Sequence, residues 1–187
     1  MRISNVNVYG FEGSVRAAKF PMNTLSDELT DELTEGIQRL SQAPIGSGHD
    51  NWLNGVIVQF DLRASLKFWP QFQRYHFADF VSSQSTMHRI TKFKIEDQCN
   101  EYVTSAAIEN LQVLVDAYNE NPSPEAYLVV LYNIPSGFEL TARITTNYRQ
   151  LKTIYQQRKN HKLSEWKQFC EWIKNLPYSE LITGEAA

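Results

Sequence analysis

Val56-Ile57-Val58-Gln59-Phe60-Asp61-Leu62 places five apolar residues in seven positions, with no Gly or Pro among them. β-Branched and aromatic residues in so short a run predict a buried strand. A polar, Gly-rich loop, Gly46-Ser47-Gly48-His49-Asp50-Asn51, precedes it. Further along, Phe138-Glu139-Leu140-Thr141-Ala142-Arg143-Ile144-Thr145 alternates and predicts a second strand. Helical patterns surround these two. Leu66 to Phe77 reads as a helix with Pro70 in its first turn or kinking it. Ala106, Ile108, Leu111, Leu114, Val115 and Tyr118 recur at three and four residues, predicting an amphipathic helix that stops at Asn121-Pro122. Pro124 suits the first position of the next helix, which runs through Tyr132. Thr146 or Asn147 can cap a helix carrying Arg149, Leu151, Ile154, Tyr155 and Arg158. A last helix from Ser164 to Asn175 buries Trp166, Phe169, Cys170 and Ile173.

The N-terminal third is expected to open with a β-hairpin over the first 20 residues, Ile3, Val6 and Val8 on one arm, Gly10 to Gly13 as the turn and Ser14 to Lys19 as the return. A helix then starts near Thr24-Leu25-Ser26, with Leu29, Leu33, Ile37 and Leu40 on one stripe, and ends by Pro44. Residues 78–90, with Ser82-Ser83-Gln84-Ser85-Thr86, read as a loop. No repeat or linker divides the chain, so residues 1–187 are expected to form one α+β domain, a mixed or antiparallel sheet packed by helices.

Composition narrows the function classes. In 187 residues, 18 Lys and Arg face 21 Asp and Glu, a net charge of −3. That excludes a global basic surface for nucleic acid, though not a local basic pocket. Cys99 and Cys170 form no CxxC, which argues against a zinc finger or a disulfide framework and for a reducing compartment. The N-terminus alternates like a strand and no apolar run approaches a membrane span, so a soluble, cytoplasmic protein without membrane partners is expected. Nine Tyr, 10 Phe and 4 Trp suit either a large core or a site that stacks planar ligands. Dinucleotide, P-loop, zinc-protease and nucleophile-elbow motifs are missing. His49, His76, His88 and His161 lack metal-ligand spacing, so no metal site is expected.

Two groupings remain. Lys67, Gln71 and Arg74 recur at i, i+4 and i+7 and on a continuous helix would present a cation, an amide and a guanidinium from one face. That set suits a base plus a phosphate, with Ser85 or Thr86 adding hydroxyls; a solvated helix face is the alternative. The second grouping is Asn147, Arg149 and Arg158. At about 100° per residue the two arginines project from opposite sides of their helix, while Asn147 lies near Arg158, so one helix could serve two pockets. Here the alternative is an ordinary basic surface, since Lys152, Lys159 and Lys162 share the segment.

His49-Asp50-Asn51-Trp52-Leu53-Asn54, the strand after it, Gln71-Phe72-Gln73-Arg74-Tyr75-His76, the Ser-rich stretch to Ser85, and Asn147-Tyr148-Arg149-Gln150-Leu151 with Arg158 resemble flavin-dependent thymidylate synthases in order and spacing. That family has a His loop before the strand, a Gln three residues before an Arg-His-Arg triplet, a Ser seven or eight residues later, and a late Asn-x-Arg-x-Leu helix ending in Arg. The resemblance covers residues 46–90 and 135–172. It implies a thymidylate-synthase-complementing-protein-like fold and a homotetramer with pockets at subunit interfaces. It also implies FAD stacked on dUMP, with methylenetetrahydrofolate as one-carbon donor and NADPH as reductant. Gln71, Arg74, Ser85 and Arg158 would then bind dUMP, and His49, Asn51, His76, Asn147 and Arg149 would contact FAD. A thymidylate synthase of the cysteine-nucleophile type is excluded, because neither cysteine has a Pro-Cys-x-x-His setting.

The chain departs from the family at several of these positions, and it is short for the family. The triplet reads Arg74-Tyr75-His76, Asn51 replaces a Thr, Asn54-Gly55 replaces Glu-His, and Met87-His88 replaces Arg-Tyr. Three outcomes follow: a flavin-dependent synthase, a non-catalytic nucleotide-capture protein on the same fold, or an unrelated α+β interaction protein.

Overall fold

The computed structural model describes residues 1–25 and 28–185. Four antiparallel strands, β1 (Arg2–Tyr9), β2 (Ile57–Ser65), β3 (Asp79–Ser83) and β4 (Glu139–Asn147), form one sheet in the order β1-β2-β4-β3. The expected central strand is β2, flanked by β1 and β4. Its alternation sorts the two faces: Val58, Phe60, Leu62 and Ala64 are buried, while Gln59, Asp61 and Arg63 lie on the other face. Opposite them, Ala142 and Ile144 of β4 complete the buried face.

Ten α-helices accompany the sheet among the described residues. They are α1 (Phe11–Ala17), α2 (Glu35–Ser41), α3 (Trp69–Phe72), α4 (Thr86–Arg89), α5 (Ile95–Gln98), α6 (Ser105–Glu120), α7 (Pro124–Tyr132), α8 (Tyr148–Arg158), α9 (Ser164–Ile173) and α10 (Glu180–Thr183). Leu151, Ile154 and Tyr155 of α8 and Trp166, Phe169, Cys170 and Ile173 of α9 join the buried face of the sheet in one core. Ile90, Ile95, Leu111, Val115, Val130 and Phe138 form a second core under α6 and α7. No helix among the described residues is long and apolar enough to cross a membrane.

α6 to α9 and the strands β2 and β4 lie where the sequence predicts them, and their caps explain why. Thr104, Ser123 and Asn147 each accept a hydrogen bond from the backbone N–H three residues ahead. The N-terminal third differs. The return arm of the expected hairpin is α1, because Gly10, at φ 75°, turns the chain and its carbonyl receives both the backbone N–H and the hydroxyl of Ser14. The helix expected from Thr24 is only α2. Thr34 caps it by accepting from Ile37 N–H, and Lys19 Nζ donates to the carbonyl and hydroxyl of Thr30 ahead of it. Ser26, part of the expected start, lies outside the described residues.

Two corrections bear on the site. The helix expected over Leu66 to Phe77 shrinks to α3, because the N–H groups of Leu66 and Lys67 bond to the carbonyls of Phe138 and Ser136 instead of starting a helix. Lys67, Gln71 and Arg74 therefore do not share one continuous helix face. The expected loop over 78–90 holds the exposed edge strand β3 and the single turn α4, since β4 offers β3 a ladder that a polar sequence does not advertise. After the last expected helix, α10 adds a turn that ends at Gly184, at φ 72°.

Candidate functional site

Two polar clusters sit at opposite ends of α8. At about 1.5 Å per residue, Arg149 and Arg158 stand about 14 Å apart along its axis. Because α8 packs its apolar stripe on the sheet, both arginines are left at the margins of the core, where they meet different segments of the chain.

At the C-terminal end, Arg158 is half-buried. Its Nε donates to the Tyr75 hydroxyl at 2.8 Å, and its guanidinium carbon lies 4.7 Å from the centre of the Trp166 ring and 5.6 Å from that of Tyr75. Such stacking favours a delocalised cation over a compact ammonium. Trp166 is fully buried, and its Nε1–H donates to Gln71 Oε1 at 3.0 Å. The Tyr75 hydroxyl donates onward to Gln157 Oε1 at 3.0 Å. His161 meets the edge of Trp166, and burial first, then the Arg158 charge, hold its imidazole below the usual histidine value. The terminal nitrogens of Arg158 and the amide nitrogen of Gln71 have no partner among the described residues. One edge of this cluster thus offers hydrogen-bond donors without an acceptor.

At the N-terminal end, Asp50 is fully buried and carries two cations. Arg149 Nε donates to its Oδ1 at 3.1 Å and Lys152 Nζ to its Oδ2 at 2.8 Å. Lys152 also donates to the carbonyls of Ser41 and Ala43, at 2.7 Å and 2.6 Å. One carboxylate against two cations leaves a net positive charge. Exposed His49 and Asn51 flank Asp50, and Asn147 spends its Oδ1 on Gln150 N–H at 2.8 Å, leaving its amide nitrogen as the donor. Next to Asn51, the buried Trp52 indole N–H has no acceptor among the described residues.

The structure therefore brings Gln71 and Arg158 together through Trp166, and ties the loop of His49 and Asn51 to Arg149 through Asp50. Arg74 follows α3 directly before Tyr75 and is exposed, with no ion pair among the described residues. His76 is exposed beside them in sequence. Ser85 lies beyond β3, half-buried, its carbonyl starting α4, and among the described residues no hydrogen bond joins it to either cluster. Tyr75, Trp166, Asp50 and Lys152 were not singled out from sequence. Lys152 looked like one of several surface lysines; its spacing of three residues from Arg149 and the Asp within the Gly-rich loop were the available signals.

Comparisons with known proteins agree with the resemblance at the level of the fold. No protein-family model matches the chain, and no curated protein sequence does. Among solved structures, two of the flavin-dependent thymidylate synthase ThyX from Helicobacter pylori, both complexed with FAD and dUMP, superpose with TM-scores of 0.75 and 0.77. Each is 14% identical, and the match covers 99% of this chain and 98% of the other. Against these chains the present one is not short. A UMP/dUMP methylase, PolB from Streptomyces cacaoi, bound with 5-Br dUMP, superposes with a TM-score of 0.62 at 16% identity, covering 98% of this chain and 95% of that one. The chain has the fold of flavin-dependent thymidylate synthases.

Proposed function

We propose that this protein binds dUMP through Gln71, Arg74 and Arg158, with Ser85 near the phosphate. With FAD, NADPH and methylenetetrahydrofolate it methylates dUMP to dTMP. Arg158 carries this assignment: a half-buried guanidinium, stacked on Trp166 and anchored through Nε to Tyr75, keeps its terminal nitrogens for an anion or a pair of carbonyl oxygens. The indole beneath it also holds Gln71, so an anion-binding group and a base-reading amide converge on one support. The neighbours that share the fold are complexed with dUMP or its 5-bromo analogue, which supports the choice of ligand.

The N-terminal cluster of α8 fits FAD. Arg149 and Lys152 outnumber Asp50, giving net positive charge for a pyrophosphate, and Asn147, Asn51 and His49 add donors around it. His76 would approach from the other segment. FAD, when bound, supplies the hydride chemistry of the reaction. The chain's own residues orient the two ligands: Asp50 fixes Arg149, Tyr75 fixes Arg158, and Arg74 adds a second cation for the phosphate. A homotetramer with pockets shared between subunits belongs to the same reading, and light scattering checks it.

The test is to incubate the purified protein with FAD, NADPH, methylenetetrahydrofolate and dUMP. A visible flavin spectrum on the isolated protein and formation of dTMP are expected. Nucleotide binding without flavin or product would instead support capture without turnover. One observation favours that second reading: a side chain at Gly55, where the family has His, would collide with the Ser14 hydroxyl of α1.

A further inference from the structure

We propose that Trp166 is a positioning residue that sets the base preference of the nucleotide site. By occupying Gln71 Oε1, it leaves Gln71 to offer hydrogens, and these select a pyrimidine whose facing ring carbon bears a carbonyl oxygen over one that bears an amino group there. The inference rests on the nucleotide-binding assignment above and deepens it.

Chemistry fixes the direction of the Gln71 amide. An amide oxygen and nitrogen can usually be exchanged without violating a structure, but an indole nitrogen only donates. Trp166 Nε1, 3.0 Å from Gln71, must therefore face the oxygen. Gln71 Nε2 then keeps both hydrogens, and no described residue accepts from it. Burying these hydrogens against a ligand without an acceptor would cost the price of an unmade hydrogen bond.

Packing fixes the direction of the indole. Trp166 is fully buried between Phe68, Phe72 and Phe169, with ring centres 4.4, 6.2 and 5.8 Å away. It cannot turn its N–H away from Gln71 without breaking this stack. The same ring carries Arg158, so the group that reads the base and the group that binds charge keep a fixed relation. A donor-only amide beside a cation suits a keto-pyrimidine nucleotide: uracil and thymine present a carbonyl on the ring carbon where cytosine presents an amine.

Calorimetry with dUMP, dCMP and 2-deoxyribose 5-phosphate on wild type, Gln71→Glu and Trp166→Phe tests this. Gln71→Glu still accepts from the indole but has no hydrogens to offer. Trp166→Phe keeps an aromatic ring under Arg158 but frees the amide to turn, and the sugar phosphate reports any loss of support for Arg158. Wild type should prefer dUMP over dCMP by about tenfold or more, the value of one buried hydrogen bond. Gln71→Glu should reverse that preference, and Trp166→Phe should bring the ratio close to one. Equal wild-type affinities, or an unchanged ratio in both variants, would overturn the inference and leave the nucleotide assignment standing. Binding of none of the three compounds would overturn both.

Discussion

Lys152 Nζ lies 2.8 Å from Asp50 Oδ2, and the two side chains are 1% and 0% exposed. The pair fastens the Gly-rich loop to α8, and a buried charge that loses its partner is costly. Asp50→Asn should lower stability by about 3–5 kcal/mol in a denaturant titration, because the buried Lys152 ammonium would lose its counter-charge and keep only neutral oxygens, the carbonyls of Ser41 and Ala43 and the new amide. Adding Lys152→Met to that variant should recover part of the loss. A fully stable Asp50→Asn single variant would contradict the role given to the pair.

Arg158 and Arg74 differ in their surroundings, and their variants should differ too. Arg158→Ala should weaken dUMP binding by roughly 1.5–3 kcal/mol, the scale of hydrogen bonds to a charged group. Arg158→Lys should recover little of it, since an ammonium neither stacks on Trp166 nor forks onto two oxygens. Arg74→Ala should weaken binding on the same scale, and its dependence on salt should be stronger, because Arg74 is exposed.

His161 provides a titration that can be followed by NMR. Burial and Arg158 lower its value from 6.5, so the folded protein binds this proton less readily than the unfolded chain. Its contribution to stability is therefore complete above about pH 6.5 and is lost as pH falls through the lower folded value. Bound dUMP would place negative charge beside Arg158 and raise that value. A His161 titration that does not move on addition of saturating dUMP would argue against a phosphate at Arg158.

The positions that depart from the flavin-dependent thymidylate synthase pattern differ in how readily they can be brought to it. Asn54 and His76 are exposed, so Asn54→Glu with His76→Arg should change stability by no more than about 0.5 kcal/mol while tightening FAD binding, read by flavin fluorescence. Gly55→His should instead lower the melting temperature, because its Cβ meets Ser14 and α1 also approaches from Gly10, which abuts the Gly55 carbonyl. No flavin binding in either the wild type or the stable double variant would count for nucleotide capture and against the synthase.

Strands β2 and β4 and the large helices are legible in the sequence because their signals are local. The apolar run of β2, the alternation of β4, and the caps at Thr104, Ser123 and Asn147 each act within a few residues. The elements misjudged depend on distant partners. Leu66 and Lys67 lose their helix to carbonyls at Phe138 and Ser136, and β3 exists because β4 pairs with it. The site followed the same division. The sequence pattern pointed to Gln71, Arg149 and Arg158, but the groups that orient them lie far along the chain. Asp50 is 99 residues from Arg149, and Tyr75 is 83 from Arg158.

Titration of dUMP into the wild-type protein, followed by calorimetry, bears most directly on the proposed nucleotide site. Saturable binding of one dUMP per chain, abolished or strongly weakened in Arg158→Ala, is the predicted result. Absence of binding to dUMP and to every other uridine or thymidine nucleotide, in protein shown to be folded, would contradict it.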